Sequence, residues 1–299
     1  MKILAIGHAA YDTTIPVDGY PKENTKNRVK QQIECGGGPA CNAAYLLGKW
    51  GLDVAFAGVV GKDRFGEKIK QELTEAHVNT DYLAFSETGA TTSSTVIVNT
   101  ETGSRTILTY RSDQLEYQAP CYPVEPDIIL IDGQEYAYAK MVLKQYPKAI
   151  GIIDAGRSTP EIQELCSLVD YVVCSHDFAE QVSGITIDYE NHQTLIDNLR
   201  YLQQRFQTNI VITLEAHGCL YEYDGMIKIM PSITVEAKDT TGAGDIFHGA
   251  FTYAIAKHYP FEDCLRIGNL AGAISATRIG SKPSMPEKEE MRKYFYEFK

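Results

Sequence analysis

Hydrophobic positions along this 299-residue chain fall into short apolar runs separated by stretches of helical period. Lys2–Gly7, Asp53–Val60, Asp127–Ile131, Ala149–Ile153, Tyr171–Cys174 and Asn209–Leu214 are rich in Ile, Val and Ala and have the length of buried strands. The spacing predicts a helix over Pro39–Trp50, where Ala43, Leu46, Leu47 and Trp50 share one stripe. Pro39 suits its first turn and Gly51 its end. A second helix is predicted over Asp63–His77, with Phe65, Ile69, Leu73 and Ala76 on one face. Apolar strands alternating with helices imply an α/β fold, with a mostly parallel central sheet covered on both faces.

Two segments interrupt the alternation. Asp12–Glu34 is polar, with Pro16, Pro21 and short β-like pieces. Thr91–Arg111 reads as a hairpin: Thr95–Asn99, a turn at Glu101–Ser104, then Arg105–Tyr110. The economical organisation is a single domain over residues 1–299, a three-layer sandwich with a small β-rich lid built from inserted segments 12–35 and 88–113. A lid of this kind closes over a substrate and excludes water; a plain surface hairpin would show the same periodicity.

Charge narrows the partners. The chain carries 28 Lys and Arg against 39 Asp and Glu, a net charge of −11. That excess disfavours a nucleic-acid partner, which calls for a basic stripe, and an anionic membrane surface. No stretch approaches the roughly 20 apolar residues of a spanning helix, and the apolar start at Met1–Gly7 is too short for a signal peptide. Seven cysteines, without a CxxC pair, fit reduced thiols and a cytoplasmic location better than a disulfide framework or a structural zinc site.

The strongest chemical feature is Asp239-Thr240-Thr241-Gly242-Ala243-Gly244-Asp245, running into the apolar stretch Ile246–Phe251. Small residues at a helix start leave backbone N–H groups open to an anion, and the helix dipole favours negative charge there. Asp245 stands inside this pocket. It could accept a proton from a hydroxyl attacking a phosphoryl group, or be an ordinary first-turn acid. A second turn, Gly36-Gly37-Gly38-Pro39-Ala40-Cys41-Asn42, opens the first helix, and Asn42 could hydrogen-bond a polyol hydroxyl. Gly61–Glu67 lacks the Lys of a phosphate-binding Walker loop, and Gly7–Asp12 does not fit a dinucleotide fingerprint. His8, His176, His217 and His248 form no metal-ligand spacing and read as structural or solvent residues.

These residues carry a pattern. Gly37, Gly38, Ala40, Asn42, Ala44, Gly51 and Gly61, followed by Asp239–Thr252 and Ala276–Pro286, resemble the motifs of the ribokinase-type carbohydrate kinase family over essentially the whole chain. The resemblance implies a ribokinase-like fold and an ATP-dependent kinase acting on a small sugar. It makes Asp245 the general base, with the backbone amides of Gly242, Ala243 and Gly244 as the anion hole. Asp12, Gly37, Gly38 and Asn42 would hold the sugar, with Arg105 and Gln134 beside them. Ser175, Thr213, Glu215, Gly218, Thr240 and Asn269 match nucleotide-side positions. Asp239, Thr241, Ser275, Arg278, Gly280 and Ser284 match positions whose oxygens, largely carbonyls, hold K+ in many members. Mg2+ would bridge the nucleotide phosphates, and the lid would often supply a homodimer interface.

Departures from the pattern bear on the substrate. Ser175-His176-Asp177-Phe178 replaces an Asn-x-x-Glu common in the family, with Glu180 nearby at another spacing. Ala10 stands where ribose-selective members carry Asn, and Pro39 where phosphosugar-specific ones carry Lys. Gly103–Tyr110 is similar to the hairpin of ketohexokinases, and the two Gly motifs to sulfofructose kinases. The expectation is transfer of the γ-phosphoryl of ATP to a ketohexose-like, fructose-like sugar. A 2-keto-3-deoxygluconate-type kinase, for which Tyr110-Arg111 would face a carboxylate, and a nucleoside kinase are the alternatives. A non-catalytic sugar-sensing module is a third.

Overall fold

The computed structural model describes residues 1–118 and 124–298. In chain order the first elements are β1 (Lys2–Ile6), β2 (Ala10–Val17), β3 (Ile33–Gly37), α1 (Pro39–Lys49), β4 (Asp53–Gly61), α2 (Arg64–Glu75), β5 (Asn79–Ser86), β6 (Thr92–Asn99) and β7 (Arg105–Tyr110). There follow β8 (Ile128–Ile131), α3 (Tyr136–Gln145), β9 (Ile150–Ala155), α4 (Pro160–Cys166), β10 (Tyr171–Ser175), α5 (His176–Ser183), α6 (His192–Phe206) and β11 (Asn209–Thr213). The chain then forms β12 (Cys219–Tyr223), β13 (Met226–Met230), α7 (Ala243–Ala256), α8 (Phe261–Ala276), α9 (Ser281–Ser284) and α10 (Lys288–Tyr294).

Among the described residues these strands form two sheets. The larger has nine strands in the order β13-β12-β11-β10-β9-β8-β1-β4-β5. Its strands pair in parallel from β5 to β11, and β12 and β13 close one edge antiparallel. Successive residues of β1 explain the layers. Ile3 and Ala5 pack into one apolar cluster with α1, α7 and α8, while Leu4 and Ile6 pack into the other with α3, α4 and α6. Both faces are thus apolar, which is why the strands read as continuous hydrophobic runs.

Local chemistry sets the ends of the first helices. Asp63 caps α2 by accepting from the N–H groups of Phe65 and Gly66, and Pro39 lies in the first turn of α1. The β5 strand and the β12–β13 hairpin lie outside the sequence reading. They sit at sheet edges, where several side chains face solvent, so their apolar signal is diluted.

The second sheet has the order β3-β2-β6-β7. The hairpin read over Thr91–Arg111 forms as β6 and β7, with Ser93 opposite Tyr110 and Val98 opposite Arg105. The β-like pieces of the first interrupting segment are β2 and β3, at its two ends. At the centre β2 runs parallel to β6, aligning Asp12 with Ser94. Every residue of edge strand β7 is exposed.

Candidate active site

The two glycine-rich turns meet where the carboxyl ends of the parallel strands open, the usual ligand crevice of such sheets. Gly38 adopts φ +100° at the start of α1, and a Cβ there would lie 2.3 Å from the His8 carbonyl oxygen. Only glycine lets this loop lie on the end of β1. One turn later Asn42 is buried, and its Nδ2 donates to Asp245 Oδ2 at 2.7 Å. Asn42 Oδ1 has no partner among the described residues, so a buried acceptor is left for a ligand hydroxyl.

The second turn is built around Gly242, at φ +77°. Thr241 N–H donates to Asp239 Oδ1 at 2.8 Å and Ala243 N–H to the Thr240 carbonyl at 3.2 Å. The N–H groups of Gly242, Gly244 and Asp245 have no partner among the described residues. The open donors are therefore these three. Ala243, expected among them, spends its N–H on closing the turn. A methyl built on Gly244 meets no atom within 4 Å, so the turn is open on that side.

Asp12, on β2, points its carboxylate across Gly37, whose Cβ position lies 2.0 Å from Asp12 Oδ2. Burial raises its pKa to about 6; a hydrogen bond from Ser94 opposes the rise and the Asp245 charge adds to it. Asp12, Asn42 and Asp245 thus come together from three elements. Gln134 joins from the loop after β8 through another group: its Oε1 accepts from Arg111 Nη1 at 2.9 Å. Arg111 also faces His8 Nδ1 at 3.2 Å and Glu135 at 3.7 Å. Burial, then the Arg111 charge, lowers His8 to about 4, so His8 is neutral and accepts this bond. Arg105, expected beside the sugar residues, is engaged elsewhere: its Nη1 donates to Thr240 Oγ1 at 2.5 Å. The cause is the reach of the β6–β7 turn, where the Gly103 carbonyl accepts from the same hydroxyl at 3.4 Å.

Of the expected nucleotide-side residues, Ser175, Thr213, Glu215 and Gly218 lie at the ends of β10 and β11, while Thr240 sits in the second glycine turn. Ser175 caps α5 by accepting from Phe178 N–H, and Thr213 donates to the Cys174 carbonyl. Glu215 lies in a one-turn helix before Gly218, which has φ +99°. Asn269, on α8, is buried and donates to the Met230 carbonyl at 3.0 Å. Glu180, on α5, accepts from Ile187 N–H at 2.7 Å and is used in fixing the segment that follows its helix.

The third group surrounds Asp239. Its carboxylate accepts from Thr241 N–H and from Gly280 N–H, each at 2.8 Å, and so joins the glycine turn to the loop before α9. Thr241 Oγ1 is buried with no partner among the described residues, an orphaned oxygen of the type a cation ligates. Ser275 and Ser284 spend their hydroxyl protons on the Gly272 and Ser281 carbonyls, which leaves their oxygens as acceptors. The Arg278 guanidinium pairs with Glu290, so only its carbonyl remains for an ion. Among the described residues no three His, Cys, Asp or Glu side chains converge as a metal site.

Several groups beside the site carry no site role in the sequence reading. Asp132 is buried and its carboxylate accepts from the N–H groups of His8, Ala40 and Gln134, stapling the first glycine loop to the ends of β1 and β8. Lys282 pairs with Glu72 at 2.7 Å, and the same Glu72 oxygen accepts from Gly36 N–H. Asp154 and His248 meet beneath the second turn. The available signal was an acid at the carboxyl end of a buried strand, present at both Asp132 and Asp154. Cys35 and Cys41 flank the first loop as buried thiols; burial pushes Cys41 up to about 11, so it is no nucleophile at neutral pH.

A nine-stranded, mostly parallel sheet with helices on both faces, a small second sheet and a small-residue turn ending in an acid define a ribokinase-like kinase fold. The chain belongs to the pfkB family of carbohydrate kinases, whose family model matches residues 1–288. It is accordingly an ATP-dependent carbohydrate kinase. It is similar to the ribokinase of Staphylococcus aureus, 26% identical over 97% of this chain and 98% of that one. The Bacillus subtilis ribokinase is also 26% identical, over 97% of both chains. Among solved structures, a chain from Agrobacterium tumefaciens superposes with a TM-score of 0.88 at 27% identity, covering 99% of this chain and 98% of that one. The Vibrio cholerae fructokinase bound to fructose and ADP shares the fold, with a TM-score of 0.74 at 23% identity over 99% and 98%.

Proposed function

We propose that this kinase transfers the γ-phosphoryl of ATP to a hydroxyl of a neutral, ketohexose-like sugar. The observation that carries the reading is the Asn42–Asp245 hydrogen bond. It places a candidate sugar-binding amide and a candidate base side by side, next to the open amides of Gly242, Gly244 and Asp245. Asp245 would take the proton of the attacking hydroxyl, while those amides hold the charge of the transferred group. Asp12 and the unpaired Asn42 Oδ1 would accept hydroxyl hydrogen bonds and orient the sugar for in-line attack.

Neutral sugar is favoured over a keto-acid because Arg111 is already held by Gln134 and Glu135. The similar ribokinases make ribose the first sugar to compare, and Ala10 beside the site argues against it. Mg2+ is part of the MgATP substrate in this reading and neutralises phosphate charge. K+ would sit at Thr241 Oγ1 and the oxygens of Asp239, Ser275, Arg278, Gly280 and Ser284, steadying the turn that carries the amides. The second sheet serves as the lid, formed by segments 12–35 and 88–113. Its exposed Ile107, Leu108 and Tyr110, at 46%, 60% and 62%, suit a homodimer through β7.

The test is ADP release with MgATP, with and without K+, against neutral ketoses, aldoses, keto-deoxy acids and nucleosides. Turnover on a ketohexose above all others is expected. A keto-deoxy acid or nucleoside preferred by an order of magnitude would overturn the substrate assignment, and no turnover on any compound would overturn the catalytic one.

A further inference from the structure

His248 lies one helical turn after Gly244 and is almost fully buried, yet among the described residues the partners of both its ring nitrogens are acceptors. Nε2 faces the Val173 carbonyl on β10 at 2.9 Å. Nδ1 faces the Gly244 carbonyl at 2.7 Å and Asp154 Oδ2 on β9 at 3.2 Å. A carbonyl oxygen only accepts, so the contact with Val173 requires a proton on Nε2. The 2.7 Å contact with Gly244 requires a second proton on Nδ1, since two lone pairs would repel at that distance. Two protonated nitrogens make the ring cationic, and Asp154 is the buried carboxylate that balances it. Burial holds the Asp154 carboxyl above the usual carboxylate range, and the His248 charge opposes that rise.

The consequence lies at the site. The peptide joining Gly244 to Asp245 is planar and trans, so its C=O and N–H point in opposite directions. Gly244 lies in the first turn of α7, so its carbonyl points along the helix towards His248 and the Asp245 N–H points the other way, where it has no partner among the described residues; the His248 ring adds a second hold on that carbonyl. The geometry points to His248 and Asp154 as a positioning pair. His248, anchored on Val173 and Asp154, holds the first turn of α7 so that the Asp245 amide faces the transferred phosphoryl. This role rests on the kinase reading above, although the arrangement itself does not.

Two variants separate the two ring nitrogens. His248→Asn keeps an amide donor near Nδ1, and His248→Gln keeps one near Nε2. The expected kinetic result is kcat within about fivefold of the unmodified enzyme for His248→Asn, against a roughly 10- to 100-fold loss for His248→Gln at unchanged KM. Equal losses in both variants, an effect confined to KM, or full kcat in His248→Gln would overturn the proposal. A second readout needs no substrate. In ¹⁵N-labelled protein, His248 should show protons on both ring nitrogens. The Asp245 amide resonance should move in His248→Gln and return in His248→Asn. An unprotonated Nδ1 in the unmodified protein, or a stationary Asp245 amide, would overturn it even if no sugar were turned over. Failure of the sugar panel alone would count against the kinase reading and leave these spectra to decide the pair.

Discussion

Asn42 Nδ2 lies 2.7 Å from Asp245 Oδ2, although the two residues are 203 positions apart in the chain. The contact joins the first turns of α1 and α7, the two helices that the glycine-rich turns introduce. It gives Asp245 a neutral donor, which fixes the orientation of the carboxylate without adding a charge beside it. Asn42→Ala should therefore lower kcat and raise sugar KM together, with kcat/KM down about 10- to 100-fold, the range of one lost hydrogen bond to a charged group. Steady-state kinetics in both substrates check this.

Asp245→Asn should retain the fold and nucleotide binding while losing turnover by about 10²- to 10⁴-fold, the usual contribution of a positioned base. Turnover by ADP release and nucleotide affinity by calorimetry are the two measurements. Near-normal turnover in the variant would remove Asp245 from its role.

Asp12 has a pKa raised to about 6 by burial, so its ionised form costs folding stability. The stabilisation from protonation is fully present below the unfolded pKa of 3.8 and is lost as pH rises through about 6. Asp12→Asn should raise Tm at pH 7.5 by a few degrees, with a gain of no more than about 3 kcal/mol, and change it little at pH 4.5. The same variant should lose sugar affinity. In the unmodified enzyme kcat/KM for sugar should fall as pH drops through about 6, because protonated Asp12 loses acceptor capacity.

Gly244→Ala tests the open side of the second turn. The added methyl meets no protein atom within 4 Å. Replacing glycine in a helix stabilises by up to about 1 kcal/mol, so Tm should hold or rise. Turnover should fall about tenfold or more, because the methyl enters the space the phosphoryl group needs. A fully active variant would show that the anion approaches from elsewhere.

The Lys282–Glu72 pair tests how the loop before α9 is fixed to the first glycine loop. Lys282 is 4% exposed, and although burial opposes its charge, Glu72 holds it protonated. Lys282→Met should cost about 1–3 kcal/mol, since the half-buried Glu72 carboxylate loses its charged partner. Adding Glu72→Gln should restore part of the loss, because Gln Oε1 can still accept from Gly36 N–H. Chemical denaturation of the single and double variants measures both.

The sequence by itself determined the layers and the two turns. Short unbroken apolar runs rich in β-branched residues, such as Ile128–Ile131, read as strands buried on both faces, and that requires helices on either side. Small residues ahead of an apolar helix leave amides uncovered wherever the helix is placed, so Gly242–Asp245 announced a site without coordinates. Tertiary structure decided which groups meet. Arg105 reads as a sugar ligand along the chain, but the reach of the β6–β7 turn carries it to Thr240. His248 reads as a structural or solvent residue along the chain; Asp154 and Val173, its partners, arrive from strands roughly 75 to 94 positions earlier. Ala243 carries the same N–H as its neighbours, and only the path of the turn spends it on Thr240. Periodicity and steric permission are local and survive in the sequence. Hydrogen-bond partners and buried charges depend on distances set by packing, and these exist only once the sheet has brought the strand ends together.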